Sequence, residues 1–165
     1  MRFLFCLAVF AGFCGIGVYI WRGYKQRKVF FENLLSFCDH LLVEISFSKN
    51  TVLHVIENYA ESYSVPFRTA LSGYKNLINE KQDITHVRID AFMWRRLKPH
   101  ERTVITDFFY ELGRHGSAEE RQKIQNKKIT FDTFFRAAAE SLKRDASIYL
   151  KLFIMLGIAV VVLLL

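Results

Sequence analysis

FLFCLAVFAGFCGIGVYIW, residues Phe3–Trp21, is an unbroken run of apolar and small side chains, closed by Arg22, Lys25, Arg27 and Lys28. As an α-helix these 19 residues span roughly 28 Å, close to the ~30 Å hydrocarbon core of a bilayer. Tyr19 and Trp21 stand at its end, where amphipathic rings favour the headgroup level. A cleaved signal would end in small residues, but this run ends in Val18-Tyr19-Ile20-Trp21. A lipoprotein signal needs a small residue before its cysteine, and Phe13 precedes Cys14. The stretch reads as a retained membrane anchor.

A second apolar run closes the chain. Leu152–Leu165 covers about 21 Å as helix, and adding Ile148, Tyr149 and Leu150 brings it to about 27 Å, with Lys151 snorkelling to the headgroups. The expected organisation is an anchor over 1–22, a helical domain over 23–147 and a C-terminal transmembrane helix over 148–165. Two spans form a hairpin with both termini on one side. Four cations directly after the first span place the middle domain in the cytoplasm and both termini outside. Ala8/Gly12 and Ala11/Gly15 have the small-xxx-small spacing that lets another helix approach.

The net charge is +7 over 165 residues. Much of it lies beside the apolar runs, where Lys143, Arg144 and Lys151 join the cations after Trp21; such placement attracts anionic membrane lipids. There is no basic groove pattern with interleaved stacking aromatics, which argues against nucleic acid. Cys6 and Cys14 lie about 12 Å apart along one helix, too far to bridge, and Cys38 sits alone on an apolar face. All three read as small buried hydrophobes.

Between the anchors the period is helical. Phe30, Phe31, Leu34, Phe37, Cys38, Leu41, Leu42 and Ile45 recur at three- and four-residue steps, so the first anchor is expected to continue as a stalk, with Gly23 as a hinge. Ser48–Thr51 interrupts the pattern. A short second helix carries Val52, Val55, Ile56 and Tyr59, and a third, capped by Ser64, carries Phe67, Leu71, Tyr74 and Ile78. His86–Leu97 reads as a loop entering a short helix through Phe92 and Trp94. Lys98-Pro99 begins a fifth helix with Val104, Ile105, Phe108, Phe109 and Leu112 inward. Gly113 ends it as a left-handed C-cap. Ser117 and Glu120 have capping-box spacing for a sixth, with Ile124, Phe131, Phe135, Ala138 and Leu142 inward. The fold class is all-α: a six-helix cytoplasmic bundle flanked by N- and C-terminal transmembrane helices.

Catalytic signatures are missing from the sequence. There is no GxxxxGK[ST], H-E-x-x-H, C-x-x-C or G-x-S-x-G. His40 and Glu44 form an i, i+4 pair that reads as a solvated helix face rather than a metal site. The sixteen phenylalanines fall mostly at helical spacing, as core or interface material. No catalytic, cofactor-binding or metal-ligating residues are assigned, and the chain is not expected to be an enzyme. Arg114, His115 and Glu119 border the most distinctive turn and are the candidate interaction residues.

The chain resembles the stage III sporulation protein AB family. The resemblance rests on the two terminal spans, Leu42-Val43-Glu44-Ile45-Ser46-Phe47, and Phe108-Phe109-Tyr110-Glu111-Leu112-Gly113 followed by a capped helix with Gln122. Leu156-Gly157 in the Val/Leu tail is similar as well. The resemblance implies a six-helix bundle similar to the cytoplasmic domains of type II secretion inner-membrane platform protein F. It also implies a non-enzymatic scaffold subunit of the sporulation channel complex between mother cell and forespore, in the mother-cell membrane facing the forespore. The implied partners are a secretion-type ATPase, stage III sporulation protein AA, and other membrane subunits of the channel; self-association is open. The competing readings are a membrane-anchored enzyme, whose only support is His40, Glu44 and His115, and a sensor or adaptor at the envelope.

Overall fold

The computed structural model describes residues 2–47, 52–79, 91–113 and 117–164. Among the described residues every element is helical: α1 (Arg2–Phe47), α2 (Val52–Tyr59), α3 (Val65–Asn79), α4 (Ala91–Arg96), α5 (Pro99–Glu111), α6 (Ser117–Ser141) and α7 (Ser147–Leu164). A 3-10 turn, Ala60–Ser62, follows α2. The stretch Leu142–Ala146 between α6 and α7 is a π-helical interval whose flanking residues keep right-handed helical dihedrals, so the helix runs on through it. The fold is all-α. Two compact units share the chain: Met1–Lys28 with Ala137–Leu165, and Val29–Arg136.

The expected hinge at Gly23 is not a break. The 46-residue α1 is unbroken across it, because one glycine's helix penalty, about 1 kcal/mol against alanine, is small beside the rest of so long a ladder. Two helical stretches, Phe5–Ile45 and Ala118–Leu163, are long and apolar enough to cross a membrane.

Within Val29–Arg136 six helical stretches are described: the second half of α1, α2 to α5, and the first part of α6. The α1 segment is the centre of the core. Phe30, Phe31, Leu34, Phe37, Cys38 and Leu41 are completely buried, the three- and four-residue recurrence predicted for an inward stripe. Rings carry the packing outward from it. Phe37 meets Tyr63, Phe67 and Phe109 at centroid distances of 6.3, 5.9 and 6.3 Å. Phe30 meets Phe67 at 5.4 Å and Phe31 meets Phe134 at 5.6 Å. Phe108 and Phe131 then join α5 to α6 edge-to-face at 5.2 Å. Each such pair adds about 0.5–1.5 kcal/mol to what burial alone supplies.

In the other unit, the close approach falls at glycines other than the predicted ones. A Cβ built on Gly17 would stand 3.2 Å from Leu150 Cδ1 and 3.3 Å from Phe153 Cβ. One on Gly157 would stand 3.0 Å from Phe10 Cδ2 and 3.2 Å from Phe13 Cβ. Gly12 and Gly15 meet nothing within 4 Å, so their small-residue spacing does not mark the contact with α7. Tyr24 and Tyr149 stack at 6.5 Å in the same unit.

Candidate functional site

The α4–α5 corner is built first from backbone needs. The Lys98 N–H donates to Glu101 Oε2 at 2.8 Å, so Glu101 caps the start of α5, with Pro99 in its first turn, where a missing N–H costs nothing. Glu101 is buried, and Arg102 Nε donates to the Leu97 carbonyl at 3.0 Å. The Arg102 guanidinium also lies 5.6 Å from the centre of the Trp94 ring, a cation–π contact that ties α5 to α4.

The other end of α5 is the turn that carries the candidate residues. Gly113 has φ +79°, the left-handed conformation that glycine adopts without strain. Its N–H donates to Glu120 Oε1 at 2.8 Å, and the preceding carbonyl, that of Leu112, accepts the Tyr74 hydroxyl at 3.2 Å. The end of α5 is thus satisfied by side chains from α6 and α3. Glu120, expected in a capping box with Ser117, spends one oxygen on Gly113, and the Ser117 side chain lies outside the described residues. Glu120 is 5% exposed, and its Oε2 has no hydrogen-bond partner among the described residues.

Of the predicted interaction residues, Arg114 and His115 lie outside the described residues. Glu119 is exposed on the first turn of α6, its Oε1 3.2 Å from Lys123 Nζ. Sequence reasoning missed Glu120 as a buried tertiary cap. The available signal was an acid seven residues after a helix-ending glycine, which is also the spacing of an ordinary N-terminal acid.

His40 is not on a solvated face as expected. Its ring stacks on Tyr59 at 4.0 Å, and Nδ1 lies 2.6 Å from the Tyr63 hydroxyl. Burial, with smaller contributions from Cys38 and Tyr59, holds the Tyr63 hydroxyl above the usual tyrosine range. Burial likewise pushes the Cys38 thiol up to about 12, with Asp39 adding to the shift and Lys128 opposing it. The cluster is a structural clasp between α1 and the segment joining α2 to α3. Among the described residues no three His, Cys, Asp or Glu side chains gather to hold a metal ion.

A family model described as stage III sporulation protein AB matches residues 2–165, essentially the whole chain. The chain belongs to the stage III sporulation protein AB family. That makes it a sporulation-related protein, and its all-helical fold with two apolar terminal helices is the one this resemblance implied. No curated protein and no solved structure matches the chain.

Proposed function

We propose that this chain is a non-enzymatic membrane platform in the sporulation channel complex between mother cell and forespore, docking a secretion-type ATPase, stage III sporulation protein AA. The observation that carries the reading is the family match over residues 2–165. The arrangement of the chain supports it. Apolar helices at both ends would hold the protein in the mother-cell membrane facing the forespore, with the Val29–Arg136 unit in the cytoplasm and both termini outside. The interior of that unit is filled by phenylalanine and leucine, which suits a rigid surface for partners. Anionic lipids would gather at Arg22, Lys25, Lys143 and Arg144, and other channel subunits would surround the spans.

Affinity-tagged full-length chain isolated in mild detergent from sporulating cells should bring the ATPase with it. Recovery of the folded chain without the ATPase, from cells that contain both, would count against the docking role.

A further inference from the structure

Between α5 and α6 runs an open groove of about 350 Å³, lined by Val104 from α5 and by Lys123, Asn126, Lys127 and Thr130 from α6. Lys123 and Lys127 are one helical turn apart, so their stems rise from neighbouring points about 5–6 Å apart. They belong to the segment Arg121–Lys128, which carries Arg121, Lys123, Lys127 and Lys128 and not one carboxylate. Lys128 is paired with Asp39, and of these four cations Lys123 and Lys127 line the groove. Lys123 also contacts Glu119 at 3.2 Å. Lys123 and Lys127 also border a cleft with Glu111 and Glu120, of about 10 Å³, room for one water and no more. The space that admits a ligand is therefore the larger groove, whose ionic lining is wholly cationic.

We infer that this groove binds an acidic segment of a partner protein, with carboxylates one helical turn apart meeting Lys123 and Lys127. Charge complementarity selects the sign of the occupant. The remaining lining selects its class: the Asn126 amide and the Thr130 hydroxyl offer hydrogen bonds to a peptide backbone, and Val104 offers one small apolar contact. A nucleic-acid strand would need aromatic rings for its bases, and none lines the groove. A membrane surface is broad and flat, whereas this site is a concave furrow between two helices. The inference deepens the platform reading and rests on it for the identity of the partner, because it names the surface on which an acidic element of the ATPase would lie.

The test uses full-length chain in detergent micelles and a fluorescein-labelled helical peptide with glutamates four residues apart. Saturable binding is expected, with none for the glutamine counterpart. The double variant Lys123→Gln/Lys127→Gln should bind about tenfold more weakly or worse, the scale of losing close charge pairs. Val104→Glu, which places an acid in the furrow, should weaken binding as well, and Arg68→Gln, on the exposed face of α3, should leave it unchanged. Equal affinity for wild type and the double variant would overturn the inference. So would binding of phosphatidylglycerol vesicles through the two lysines with no binding of the glutamate peptide. Capture of the ATPase that the double variant leaves undiminished would overturn the groove but keep the platform. Glutamate-peptide binding through the lysines, without capture of the ATPase, would keep the groove and overturn the platform.

Discussion

Glu120 reaches back across the α5–α6 turn and accepts the backbone N–H of Gly113 at 2.8 Å, and the residue is only 5% exposed. One side chain thereby closes the end of one helix from the start of the next. Removing it strands a helix-terminal N–H, so Glu120→Ala should destabilise the protein by about 1–3 kcal/mol. Glu120→Gln keeps a carbonyl oxygen for Gly113 and should cost less. Guanidinium unfolding followed by circular dichroism in detergent would check this, and equal losses for the two variants would dissolve the assignment.

Gly113 itself, at φ +79°, should not tolerate a side chain. Gly113→Val forces a β-branched residue into the left-handed region, with an expected loss of about 1–2 kcal/mol or more. An unchanged midpoint in the same unfolding assay would contradict the strained turn.

The helices are legible in the sequence because each has a wide apolar stripe with punctuation at its ends. Phe30 to Leu41 declares a core face by spacing alone, and Lys98-Pro99 and Gly113 mark the two ends of α5. What is not legible is which polar groups turn inward. Glu101 and Glu120 look like ordinary first-turn acids, and only the folded neighbours, Lys98 N–H and Gly113 N–H, make them buried caps. The same holds for His40, whose partners Tyr59 and Tyr63 lie on a segment some twenty residues on and reach it only through tertiary packing. In the terminal helices many small residues satisfy the same spacing rule, and packing chooses among them.

That choice is testable. Gly17→Leu and Gly157→Leu insert side chains where the neighbouring atoms stand at 3.2 and 3.0 Å, and overpacking of this kind costs about 1–3 kcal/mol. Gly12→Leu and Gly15→Leu meet open space and replace a poor helix former by a good one, so they should not lower the melting temperature in detergent. The reverse order of effects would reassign the contact between the terminal helices.

Cys38 offers a pH-dependent reading of the core. Below about 8.5, the ordinary thiol pKa, both folded and unfolded chains are protonated there and the thiol adds no pH dependence. Above that value the unfolded chain releases the proton while the folded chain holds it until about 12, so stability falls as pH rises through this interval. Cys38→Ala should remove that part of the decline. Ellman's reagent at pH 8 should leave Cys38 unmodified until denaturant is added; full modification in the native state would mean the thiol is not buried.

The proposed docking is measured most directly as the equilibrium of this chain with the purified ATPase. Full-length chain reconstituted in nanodiscs and titrated with fluorescently labelled stage III sporulation protein AA should give saturable binding. Helical, monodisperse chain that shows no association at any accessible ATPase concentration would contradict the account.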